Sequence, residues 1–126
     1  MSISIELIAE GHALRGALYT STTALLIVAR LPLELELTRW GGEYFGDVGA
    51  PLGAWLERDA RVEMQPGELA WWPPGNALCL FFDRTPASAD GEPRAASAVN
   101  PIGRLRGDLS ALGPLGERIR ARLQRG

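Results

Sequence analysis

Aromatic rings and hydrogen-bond donors, the side chains of this chain that could do chemistry, are concentrated in and around two stretches. Trp40 to Phe45 and Gly67 to Phe82 supply the rings of Trp40, Tyr44, Phe45, Trp72 and Phe82. The donors in or near them are Arg39, Asn76, Arg94 and Asn100. Rings offer apolar contact area, and a few polar groups among them fix the orientation of a ligand. We therefore predict an aromatic cleft that binds a small molecule or an extended peptide.

Each of these residues also has a structural alternative. Rings in a small β domain are often core residues because they bury a large apolar area. Asn76 follows Gly75 and is typical of a turn. Asn100 precedes Pro101 and could bind loop backbone. Arg94 lies in a stretch without strand alternation and could be a solvated charge, although it is the donor that we favour for a ligand.

Composition limits the function further. The chain has 126 residues, which we assign to a single domain over 1–126, and all 13 basic residues are arginine. Without lysine there is no Schiff-base chemistry and no phosphate-loop lysine. A net charge of −2 predicts no nucleic-acid partner. His12 and Cys79 are the single residues of their types, so we expect no metal site, no cofactor and no disulfide.

The sequence also favours a particular location and class of partner. No stretch approaches the ~20 apolar residues that a membrane span needs, and the N-terminus does not resemble a signal peptide. We therefore expect a cytoplasmic protein with no membrane partner. Its apolar patches could support self-association, so a homo-oligomer is an open possibility.

Alternating apolar and polar residues predict several short strands, of which Leu33 to Thr38 is the clearest. Glu68 to Trp72 and Ala77 to Phe82 read as two strands joined by the rigid turn Pro73-Pro74-Gly75-Asn76. We expect either Trp72-Pro73 or Pro73-Pro74 to be cis. Between Trp40 and Gly46 the glycines predict a break in the strand, and Asp83 to Ala98 predicts a long surface loop.

One helix and an ambiguous tail complete the predicted elements. Ala24 to Leu31, capped by a hydroxyl among Thr20 to Thr23, predicts a short helix that is apolar nearly all round and therefore mostly buried. Near the C-terminus, Gly116 to Gln124 fits either a strand or a helical stripe. Several strands, one helix and Gly/Pro turns favour a small β-barrel or sandwich.

Several motifs resemble one family. The segments Gly67 to Ala77, Phe81-Phe82 followed by Thr85-Pro86, Ala96 to Gly103 and Arg39 to Phe45 look like those of small bacterial and archaeal cyclophilin-like proteins. The resemblance implies a mainly β fold, a closed eight-stranded cyclophilin-like β-barrel with one short helix, in which Gly116 to Gln124 is the closing strand.

The same resemblance suggests an alternative function. The fold implied here is related to that of the cyclophilin prolyl isomerases, so a peptidyl-prolyl isomerase acting on a proline-containing peptide is the alternative to a binding module. Such an enzyme needs an apolar cup and a donor near the prolyl nitrogen, because this donor favours the twisted amide over the planar one. No catalytic arginine motif of true cyclophilins can be matched to this sequence, so fold alone assigns no catalytic residue.

Overall fold

A computed structural model describes residues 1–126 and shows a closed ring of eight antiparallel strands. The chain has nine strands, and all of them except β5 belong to the ring: β1 (Ile3–Ala9), β2 (His12–Leu18), β3 (Leu33–Trp40), β4 (Glu43–Asp47), β5 (Arg61–Glu63), β6 (Glu68–Trp72), β7 (Ala77–Phe81), β8 (Arg94–Leu105) and β9 (Arg118–Arg125). The order around the ring is β1-β9-β3-β4-β7-β6-β8-β2, and β2 pairs with β1 to close it. The predicted closed eight-stranded architecture is confirmed, and β9 is its closing strand.

The inside of the ring is the main core. Because successive side chains of a strand point to opposite faces, alternate residues of every strand in the ring enter it. Together with residues of the helix and of two loops they form a cluster of 23 buried side chains, with Trp71 and Tyr44 among the largest. Closure leaves the ring without exposed edges for pairing with other chains.

The helix α1 (Thr22–Val28) covers part of this core with one face. Its N-cap is Ser21, whose hydroxyl accepts the backbone N–H of Ala24. Ala24, Ile27 and Val28 join the core cluster, whereas the two leucines between them, at positions 25 and 26, are exposed by 46% and 37%. The predicted helix exists and four of its seven residues are buried, while the two exposed leucines show that only one face meets the ring.

The turn between β6 and β7 differs from the prediction in its peptide geometry. Pro73–Gly75 form one turn of 3₁₀-helix, and Asn76 follows in the left-handed region with φ 48°. The two prolines occupy the first positions of that turn, where a fixed φ and a missing N–H are tolerated. The only cis peptide bond is Leu31-Pro32, so the predicted cis bond in the diproline segment was wrong.

Two stretches that we expected to be irregular are strands. Gly41-Gly42 form a two-residue turn between β3 and β4, and Trp40 pairs with Glu43 across it. The glycines therefore reverse the chain without ending the sheet. Likewise, the predicted loop that reaches Ala98 ends earlier, because β8 begins at Arg94.

A second, smaller core lies on the outer face of β4, β7 and β6. Its buried residues are Met64, Ala70, Cys79, Phe81, Ala95 and Val99. Their neighbours along the strands, such as Leu80 and Trp71, belong to the inner cluster, which places this second group on the opposite face. The start of β8 covers it, and β5 pairs with that part of β8.

Candidate functional site

An apolar pocket of about 260 Å³ opens on the outer face of the ring, beside the second core. Its lining consists of Trp40, Glu43, Phe45, Trp72, Ala95, Ala96 and Val99. One carboxyl group thus stands among six hydrophobic side chains. A concave apolar site with one polar group has the composition of a small-ligand pocket.

The β3–β4 hairpin positions three of the lining residues. Because Gly41-Gly42 is the whole turn, Trp40 and Glu43 lie directly opposite each other. Phe45 lies two residues beyond Glu43 and therefore on the same face of β4. At Gly42 a Cβ atom would lie 2.2 Å from the carbonyl carbon of Asp83, so only glycine lets the chain segment at Asp83 approach this turn.

Trp72 at the end of β6 forms the opposite wall. Its ring meets that of Phe45 edge to face, with centroids 6.4 Å apart. Its indole Nε1–H donates to Ser97 Oγ at 2.7 Å. Ser97 lies in the stretch of β8 where pairing with β5 is irregular, next to the lining residues Ala95 and Ala96. This hydrogen bond ties the tryptophan to the segment that covers the second core.

Glu43 is the unusual group of the pocket. It is only 6% exposed, and burial raises its pKa from the ordinary 4.5 to about 7. Burial is the main cause of this shift, and the Cys79 thiol on the neighbouring strand β7 offsets it only partly. Burial also raises the pKa of the Cys79 thiol well above its ordinary value, so it stays protonated at neutral pH. A carboxyl group that changes charge near pH 7 inside a pocket marks a candidate functional site.

Two of the predicted cleft rings lie elsewhere. Tyr44 is fully buried in the inner core, and its hydroxyl donates to the Gly116 carbonyl at 2.6 Å. Phe82 stacks on Tyr44 with centroids 5.7 Å apart, and the Arg39 guanidinium lies over both rings. Arg39 also donates to the carbonyl of Leu115 at 2.9 Å, so this stack holds the segment before β9 in place.

Asn76 organises a loop away from the pocket. Its amide Nδ2 donates to Asp47 Oδ1 at 2.9 Å and to the Gly49 carbonyl, and its Oδ1 accepts the Leu52 N–H at 3.0 Å. Hydrogen bonds from the Gly49 backbone N–H and from Asn76 also lower the pKa of the Asp47 carboxyl.

Asn100 is completely buried and also serves the backbone. Its Oδ1 accepts the Glu57 N–H at 2.7 Å, and its Nδ2 donates to Thr23 Oγ1 and to the Trp55 carbonyl. These contacts join α1, β8 and the loop before β5. They use the amide fully and leave no donor for a ligand.

Arg94, our favoured donor, begins β8 near the pocket but does not line it. Its guanidinium lies 3.4 Å from Glu63 and 3.3 Å from Glu92. The structure therefore brings Trp40, Phe45 and Trp72 together, and places the other two rings and the four predicted donors in other contacts.

Glu43 was not among the predicted ligand-binding residues. The sequence signal that could have found it is the alternation Glu43-Tyr44-Phe45, which puts the carboxyl on the same face as a phenylalanine if the stretch is a strand. No group of three or more His, Cys, Asp or Glu is placed to hold a metal ion. No helix has the length and apolar character to cross a membrane.

Comparison with known proteins identifies the family. The family model described as "Cyclophilin-like" matches residues 3–123, which is nearly the whole chain. The solution structure of a hypothetical protein from Archaeoglobus fulgidus superposes with a TM-score of 0.80 and 29% sequence identity, over 99% of this chain and 95% of that one. A search of curated proteins found no match.

Proposed function

Because this chain belongs to the cyclophilin-like family, we propose that it uses the outer face of its strand ring as a binding module for a small molecule or a short peptide segment. The proposed binding site is the pocket formed by Trp40, Phe45 and Trp72, with Glu43 as its polar group. Since many functions occur on one fold, the proposal rests on the pocket and not on the family.

The observation that carries the proposal is a buried carboxyl in an apolar pocket that is open to solvent. The surrounding rings supply contact area at a low cost in side-chain entropy. Glu43 supplies the one group that can fix a polar atom of the ligand. Its pKa of about 7 means that it can donate a hydrogen bond when protonated or accept one when ionised.

The four tryptophans make a direct test possible by NMR, because each indole N–H gives a separate signal. Trp40 and Trp72 line the pocket, Trp71 is buried in the inner core with its N–H on the Ala54 carbonyl, and Trp55 is 79% exposed. Titration with cyclohexanol and with a blocked Ala-Pro amide should move the Trp40 and Trp72 signals and leave the other two in place. Equal movement of the Trp55 signal, or no movement at all, would count against the pocket.

Matched variants sharpen this test. Trp72→Leu removes one wall of the pocket and should weaken binding of a probe about tenfold, since an aromatic contact in a desolvated site is worth ~1–3 kcal/mol. Trp55→Leu changes an exposed ring outside the pocket and should leave binding unchanged. Equal losses in both variants would show that the probes bind nonspecifically.

A prolyl isomerase on the same pocket is the second candidate, and the protonated form of Glu43 is the observation that favours it. The protonated carboxyl of Glu43 could donate a hydrogen bond to a prolyl nitrogen in this apolar pocket. It would have to take the place of the arginine of true cyclophilins, because no arginine lines the pocket. A protease-coupled isomerisation assay on proline peptides decides the matter. Turnover that is absent in Glu43→Gln would support an enzyme, and a rate equal to the uncatalysed one would exclude it.

A further inference from the structure

Resting on the proposed binding function, we propose that the ligand of this pocket carries an alkylated ammonium ion, held by the rings of Trp40, Phe45 and Trp72 with the carboxylate of Glu43 as its counter-ion. The class covers quaternary and methylated ammonium groups, whether on a free metabolite or on a modified side chain. The proposal of an ammonium ligand does not depend on any enzymatic activity of the chain.

The arrangement of the rings is the first argument. Trp40 comes from β3, Phe45 from β4 and Trp72 from β6, so three separate elements surround one space. The negative faces of aromatic rings attract cations, tryptophan most strongly, and the attraction increases when water is excluded. Alkyl groups on the nitrogen gain apolar contacts with the same rings and with the alanine side chains of β8.

The isolation of Glu43 is the second argument. Glu43 is only 6% exposed, and no arginine forms an ion pair with its carboxyl group. The arginines near the second core have other partners: Arg61 binds Glu68 at 2.7 Å, and Arg94 binds Glu63 and Glu92. A buried charge without a partner is unfavourable, so a cationic ligand would stabilise the ionised carboxylate by acting as its counter-ion.

Size and polarity select among cations. At about 260 Å³ the pocket lies below the range of ~300–1,000 Å³ that is common for drug-sized ligands, so it suits a small head group. A bare ammonium or a guanidinium needs several hydrogen-bond acceptors. The lining side chains offer only the Glu43 carboxylate as a charged acceptor, whereas a quaternary ammonium requires none.

Cation binding requires the ionised form of Glu43, which gives the inference a pH signature. The titratable group that affects Glu43 is the Cys79 thiol of β7. The charged groups on the covering and neighbouring segments are Arg61, which pairs with Glu68, and Arg94, which pairs with Glu63 and Glu92. With a pKa of about 7, Glu43 is ionised to roughly one tenth at pH 6 and nine tenths at pH 8. Affinity for the cation should therefore rise about tenfold between these pH values.

The test compares choline with 3,3-dimethylbutan-1-ol, which has the same shape and no charge. Titrations are followed by the indole N–H signals of Trp40 and Trp72 at pH 6 and pH 8. At pH 8 we expect choline to bind at least tenfold more tightly than the alcohol. We also expect choline to bind about tenfold more tightly at pH 8 than at pH 6. Equal binding of both probes, or choline affinity that does not change with pH, would overturn the ammonium assignment.

Variants and outcomes separate this inference from the proposed function. Glu43→Gln should remove the preference for choline over the alcohol, while Glu36→Gln, a substitution at a carboxylate whose side chain is 70% exposed on β3, should leave that preference unchanged. Tight binding of the alcohol with weak binding of choline would overturn the ammonium class and leave the binding function intact. Failure of both probes would also overturn the ammonium class, and the titration with cyclohexanol and the blocked peptide would then decide the binding function by itself.

Discussion

Replacing Glu43 by glutamine should make the protein more stable at alkaline pH and nearly unchanged at acid pH. The substitution keeps the shape of the side chain and removes its charge. In the folded protein the carboxyl has a pKa of about 7, compared with the ordinary 4.5 that we assign to the unfolded chain. At ~1.4 kcal/mol for each tenfold change, this difference amounts to about 3 kcal/mol of the free energy of unfolding.

The sign follows from proton binding. Between pH 4.5 and pH 7 the folded state holds a proton that the unfolded state has released, so stability falls as the pH rises through this window. Below it both states are protonated, and above it both are ionised and the full loss persists. Wild-type protein should therefore lose about 2–3 kcal/mol through this group between pH 5 and pH 8, and Glu43→Gln should not.

Urea unfolding at pH 5, 6, 7 and 8, followed by tryptophan fluorescence, measures the effect. The quantity of interest is the difference between variant and wild type at each pH, because all other titrating groups cancel in it. Glu36→Gln serves as the exposed control, and its difference from wild type should stay constant. If the difference for Glu43→Gln also stayed constant within about 0.5 kcal/mol, ionisation of the carboxyl would not destabilise the folded protein. That result would refute our conclusion that burial in the pocket raises the pKa of Glu43.

Three further outcomes are expected. Cys79 is 1% exposed and its thiol has a raised pKa, so it should react with Ellman's reagent only as fast as the protein unfolds. Rapid labelling of the folded protein would contradict the burial of this thiol beside Glu43. Asn100→Ala should reduce the unfolding free energy by about 2–4 kcal/mol, because it leaves the Glu57 N–H and the Trp55 carbonyl without a partner and removes one of the two hydrogen bonds of Thr23 Oγ1. Asn100→Asp, which keeps only the acceptor, should also destabilise. A neutral result for both variants in urea unfolding would contradict the hydrogen bonds described. Asn76→Ala should cost about 1–3 kcal/mol through the lost loop contacts and the left-handed backbone, while Asn76→Gly, which relieves only the backbone, should cost less in the same assay.

The sequence predicts the individual strands well because their signals are local, whereas the closed ring of eight strands is what the family resemblance implies. Alternation in Leu33 to Thr38 and the turn residues between Trp72 and Ala77 describe elements whose form depends on few distant contacts. The tail required the family resemblance, since its alternating arginines fit a strand while its leucine spacing fits a helix. Pairing of β9 with β1 and β3 resolves this choice, and such pairing is a property of the assembled ring.

The site is less predictable because it depends on which face each side chain occupies. Tyr44 and Phe45 are neighbours in sequence, yet one enters the inner core and the other lines the pocket. We interpreted Gly41-Gly42 as a break in the strand and therefore did not apply strand alternation to Glu43-Tyr44-Phe45. That alternation separates Tyr44 from Phe45 and would have identified Glu43 as a residue of the pocket face. Asn76 and Asn100 fulfil their structural alternatives, which depend on partners 24 to 77 residues away along the chain.

Strand β8 belongs to two structures at once. From Asn100 onward it is part of the ring, but its first residues lie outside the ring, where they pair with β5 and line the pocket. The two halves therefore have separate duties, and substitutions at Ala95 or Ala96 can reshape the pocket without disturbing the pairing that holds the ring closed.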